Sequence, residues 1–96
     1  MATELFKSQG VDTPIHPGEI LGEEIEVREL TVRELALQMR RPARGLAEIV
    51  SGRRSLTAEW ALDLERALGI SARFWMNLQS AYELDVARLK RERQSA

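Results

Sequence analysis

Between Thr31 and Gly52 the chain has room for two short helices and a tight turn, and little else. Thr31-Val32-Arg33-Glu34 sets a hydroxyl three residues ahead of a carboxylate, the spacing of a capping box. Val32, Leu35, Ala36 and Met39 follow at i, i+3, i+4 and i+7, so a helix is predicted over about 32–39. Pro42 keeps Arg41 out of the α region, which forces a turn at Arg40-Arg41 before the chain restarts with the proline near the first helical position. Leu46, Ile49 and Val50 give the next helix a single apolar stripe, and Gly52 supplies the left-handed residue that ends it. Two such helices joined by about three residues form a helix-turn-helix.

The remaining apolar spacing is 3–4 residues throughout, so the fold class is all-α, with five helices. Residues 1–15 mix polar residues with Gly10 and Pro14, lack a sustained period, and read as a mobile arm. The first helix should start at His16-Pro17 and run to about Glu26, with Ile20, Leu21 and Ile25 inward. Thr57 caps a fourth helix carrying Ala61, Leu64 and Leu68, which Gly69 stops. Ser71 caps a long C-terminal helix from Ala72 to about Arg93, too long and too aromatic for so small a core to cover. Phe74 and Leu78 are assigned to the core, and Trp75 with Tyr82 to a two-fold interface, where rings supply large contact area. Residues 16–70 then form the helix-turn-helix domain and residues 71–96 a dimerisation helix.

Ninety-six residues make one domain. The chain has no cysteine and a single histidine, which leaves no thiolate metal site, no disulfide and little material for catalysis. No enzyme, cofactor or small-molecule substrate is expected. No stretch approaches the roughly 20 apolar residues of a membrane span, and the start lacks the pattern of a secretion signal, so the expected location is the cytosol. His16 reads as an end cap rather than a ligand. Glu19, Glu23, Glu24, Glu26 and Glu29 read as a solvated face, with docking of a basic partner as the alternative.

A net charge of −1 hides a sharp partition. Residues 1–39 carry net −5, residues 40–54 net +4, and residues 55–96 none. The basic block is Arg40, Arg41, Arg44, Arg53 and Arg54, which bracket the third helix and suit a polyanion whatever the global charge. A helix enters the major groove when its amino end faces base edges while neighbouring donors hold phosphates. Ala43, Arg44, Ala47 and Glu48 lie outward if Leu46, Ile49 and Val50 point in. Arg44 can grip guanine through two hydrogen bonds, whereas Ala43 and Ala47 reach only thymine methyls. Arg33, Arg53, Arg54 and Thr57 are assigned to the DNA backbone, and Arg41 to the DNA-binding face.

HPGEIL at 16–21, LTVRELALQM at 30–39, LAEIVSGRRSLT at 46–57 and FWMNLQSAYEL at 74–84 resemble the HigA-type antitoxins of the Cro-repressor-like (XRE) helix-turn-helix group. The resemblance spans about residues 16–85, and the FWxNLQxAY pattern is its most specific part. It implies a repressor-like fold, a homodimer bound to double-stranded operator DNA in its own promoter, and sequestration of a RelE-like HigB toxin that cuts mRNA on the ribosome. A stand-alone regulator without a toxin would share the DNA-binding half. Against the family pattern, Val32 stands where glutamine is common and Arg40 where glycine is common. Pro42 replaces the usual Ser or Thr cap, and Gly45 sits inside the recognition helix at a cost of roughly 1 kcal/mol relative to alanine.

Overall fold

In a computed structural model, residues 13–95 are described, and the expectation of an arm at 1–15 falls, for residues 1–12, outside them. Every regular element described is helical: α1 (Pro17–Val27), α2 (Val32–Met39), α3 (Ala43–Val50), α4 (Ala58–Leu68) and α5 (Ala72–Ser95). The all-α five-helix expectation holds. Pro42 is the N-cap of α3, in the place of the usual Ser or Thr, and makes no side-chain capping hydrogen bond.

The ends of these helices are written in short-range chemistry. His16 caps α1, its Nδ1 accepting from the Gly18 N–H at 2.8 Å. Thr31 and Glu34 complete the capping box of α2, at 3.0 and 2.8 Å. Thr57 caps α4, and the Ser71 hydroxyl accepts from the Phe74 N–H at 3.0 Å to open α5. At the other ends, α1, α2 and α3 close in the same way, with an amide two or three residues past the helix reaching back five residues: Leu30 to Ile25, Arg41 to Ala36 and Arg53 to Glu48. Each closure needs one left-handed residue. Gly52 serves α3 at φ 82°, but α1 and α2 place Glu29 and Arg40 there, both at φ 57°. The left-handed region costs a non-glycine residue about 1 kcal/mol, so two of the three joints that orient α1–α3 are held under mild strain.

Leu21, Leu35, Leu46, Ile49, Leu56, Leu64 and Trp75 are the fully enclosed centre of the core. Trp75 corrects the assignment of the long helix: it is 0% exposed, entirely within its own core, and has no surface to offer a second copy. Phe74, assigned to the core, is 42% exposed and leans edge-on against Trp75 at 5.4 Å. Leu78, also assigned to the core, is partly buried and packs against it together with Ala72 and Met76, while the two fully buried positions of α5 are Trp75 and Gln79. Gln79 is hidden from a hydropathy reading, because a polar residue occupies the second buried turn.

Candidate nucleic-acid interface

What holds α3 at its rear is backbone-level packing. The first turn of α1 lies so close to the last turn of α3 that a Cβ on Gly18 would stand 1.9 Å from the Ile49 carbonyl oxygen and 2.8 Å from that of Val50. Only glycine fits. Gly45, on the buried face of α3, has the same purpose: a Cβ there would meet the Trp60 ring at 3.1 Å. Gly45 thus lets α3 sit close against the Trp60 ring of α4. Beyond α3, the loop to α4 is tied down by Gln79, whose Oε1 accepts from the Leu56 N–H at 2.8 Å while its Nε2 donates to Glu83 at 2.9 Å. Gln79 is a positioning residue that the sequence reading missed; the clue available was a glutamine within an apolar stripe.

The outward face carries the chemistry. Arg44 and Ala47 are exposed and Ala43 and Glu48 partly so, while Gly45, Leu46 and Ile49 are buried. The Arg44 side chain is 91% exposed, with its Nε 3.7 Å from Glu48 Oε2 one turn along. Arg54 reaches back from the loop to place Nε at 2.9 Å and Nη2 at 2.5 Å from Glu48 Oε1. Hydrogen bonding from Arg54, with the charges of Arg54, Arg44 and Arg53 and against a smaller opposing effect of burial, holds the Glu48 carboxyl below its ordinary value. Arg33, Arg53 and Thr57 are also exposed, though the Thr57 hydroxyl is engaged as the α4 cap.

Arg41, expected on the DNA-binding face, is engaged within the chain. Its Nε lies 2.5 Å from Asp63 Oδ2, Glu59 is 3.7 Å away, and its guanidinium stacks 5.1 Å from the Trp60 ring centre. The hydrogen bond to Asp63, with both nearby carboxylates, raises its pKa above the ordinary arginine value. Its charge is consumed in bracing the α2–α3 turn against α4. Arg41, Arg44, Glu48, Arg54 and Trp60 together line one open cleft of ≈ 530 Å³, and Arg33, Arg53 and Thr57 lie outside it.

Tyr82, assigned to the two-fold interface, is half-buried, with its ring edge-on to His16 of its own chain at 4.9 Å. His16 is thereby both the cap of α1 and the seat of α5. On the acidic face, Glu24 pairs with Arg28 at 3.0 Å, and Arg28 Nη2 donates to the last carbonyl of α4, at Leu68, at 2.8 Å. Among the described residues no cluster of His, Cys, Asp or Glu is placed to hold a metal, and no helix is long and apolar enough to cross a membrane.

No protein-family model matches the chain. Individual proteins do. Virulence-associated protein I of Dichelobacter nodosus is 42% identical over 74 residues, which are 76% of this chain and 68% of that protein. An addiction-module antidote protein of the HigA family from Coxiella burnetii is 39% identical, with a TM-score of 0.79 over 84% of this chain and 89% of that one. The Pseudomonas aeruginosa antitoxin HigA, solved with the higBA promoter, is 38% identical, with a TM-score of 0.80 over 85% of this chain and 90% of that one. Fold, helix order and sequence agree along nearly the whole described length: the chain is not an enzyme and belongs to the HigA family of helix-turn-helix antitoxins.

Proposed function

We propose that this chain is an antitoxin and autorepressor: as a homodimer it lays α3 of each copy in the major groove of double-stranded operator DNA, and in the cytoplasm it neutralises a HigB-type, RelE-like toxin that cleaves mRNA. The observation that carries the DNA half is the seating of α3, fixed from behind at Gly18 and Gly45 while Arg44 stands 91% exposed at its amino end. Arg44 then reads guanine, Ala43 and Ala47 sit against thymine methyls, and Arg33, Arg53 and Thr57 lie along the phosphates, with Arg54 beside them but paired to Glu48. The relative solved with the higBA promoter supports DNA as the partner.

Residues 16–70 serve as the DNA-binding unit and 71–96 as the pairing helix. With Trp75 enclosed in its own core, pairing falls to Tyr82 and to the exposed Phe74 and Leu84. It must set the two α3 helices about one DNA turn apart, roughly 34 Å, for both half-sites to be read.

A mobility-shift titration against the chain's own promoter tests the DNA half, with affinity expected to fall by orders of magnitude between about 50 and 200 mM salt. Equal affinity for unrelated duplexes of the same length overturns operator reading. Co-expression with the adjacent reading frame tests the toxin half: co-purification and relief of growth arrest are expected. Operator binding without any such partner leaves a stand-alone regulator.

A further inference from the structure

A carboxylate on the outward face of a helix that meets a polyanion is out of place, because uncompensated negative charge there opposes association at every sequence. Glu48 is such a group, with its side chain 30% exposed in the cleft beside Arg44 and Arg54. It is compensated asymmetrically. Oε1 accepts both hydrogen bonds from Arg54, while Oε2 has only Arg44, at 3.7 Å, beyond hydrogen-bond length.

The pair is not needed to hold the local fold. The end of α3 is closed by the Arg53-to-Glu48 backbone bond, and the loop is tied at Leu56 by Gln79. Ion pairs this exposed add little to stability. Their effect on charge is larger. Arg54 commits its Nε and one Nη2 hydrogen to Glu48 and keeps its remaining donors outward, so the two residues present a fixed, electrically neutral fork where a lone arginine would present a mobile cation.

The geometry points to Glu48 as a specificity-determining residue of the DNA-binding face, one that suppresses sequence-independent binding by neutralising and aiming Arg54, and that offers its unshared Oε2 to the exocyclic amine of a cytosine in the major groove. On an arbitrary duplex, Arg54 then releases no counterion of its own and Glu48 meets no donor. On the cognate duplex the cytosine N4 amine satisfies Oε2, and the penalty of bringing a carboxylate to DNA is offset at that sequence alone. This inference rests on the DNA-binding reading above and adds to it a residue that weakens binding in order to discriminate.

The full chain and its Glu48→Gln and Glu48→Ala variants, with helix content checked by circular dichroism, are titrated against the native promoter duplex and a scrambled duplex of equal composition over a range of salt. Both variants are expected to bind the scrambled duplex about tenfold more tightly at low salt, with a log–log salt dependence steeper by about one unit, as one added phosphate contact requires. Promoter affinity stays level or falls, so discrimination drops at least tenfold. Adding Arg54→Ala to Glu48→Gln removes the extra salt dependence. Variants that keep the wild-type ratio between duplexes, or shift both duplexes equally, overturn the role of Glu48 alone. A wild-type chain that fails to tell the promoter from the scrambled duplex overturns operator reading itself, and this inference with it.

Discussion

The two faces of α3 are built to opposite tolerances. On its rear, one added methyl group has no room at Gly18, where it would meet carbonyl oxygens, and only a tight fit at Gly45, where it would press on the Trp60 ring. On its front, the groups at hand are an arginine 91% exposed, two alanines, and an ion pair open to solvent. A helix that reports base edges, as proposed for α3, cannot rock, and the rigidity lies behind it. The reading surface is left with side chains that can be exchanged without disturbing the fold. On the proposed DNA-binding reading, operators would diverge by changes at the front while the rear stays fixed.

Substitutions behind α3 should act on stability and those in front on DNA alone. The largest effect is expected from Trp75→Ala, which empties the centre of the core and should cost about 3–5 kcal/mol in chemical denaturation. Any loss of dimer in that variant should track loss of fold; a folded monomer would return Trp75 to a pairing surface. Gly18→Ala comes next, at about 2–3 kcal/mol, since the clash is with backbone that cannot swing aside. A neutral result would mean that α1 and α3 slide freely and that the seating of α3 is not what aims it. Arg44→Ala should leave the unfolding midpoint unchanged while reducing discrimination at one operator position by about 1–3 kcal/mol. Arg53→Ala should weaken all duplexes alike and flatten the salt dependence by about one unit. Identical loss on every DNA for both variants would erase the distinction between a base-reading and a phosphate-holding arginine.

How much of this was visible in the residues follows the range of the interactions. The helices and their ends were legible because caps, left-handed closures and apolar stripes act within about five residues: Thr31 with Glu34, Pro42 after Arg41, Gly52 and Gly69. The arginine cluster around α3 was legible as charge density. Its internal pairing was not, since Asp63 lies 22 residues from Arg41, and Glu48 had been read only as outward-facing. The buried place of Gln79 on α5 was not legible, since it makes sense only once the Leu56 amide is brought against it from 23 residues away. Gly45 looked like a defect for the same reason: its justification is a ring on another helix.

The smallest effect separates local strain from function. Arg40 and Glu29 close successive helices at the same φ of 57°, one at the turn leading into α3 and the other at the loop before α2. Replacing either by glycine removes about 1 kcal/mol of left-handed strain and returns part of that as unfolded-chain entropy, leaving a net gain of a few tenths of a kcal/mol. Denaturant midpoints should rise slightly and equally for both variants with the slope unchanged, and Glu29→Gly should bind DNA as the wild type does. A destabilised Arg40→Gly beside a stabilised Glu29→Gly would show that the Arg40 side chain contributes packing or charge at the turn, and that the left-handed joint before the recognition helix is held by more than its backbone.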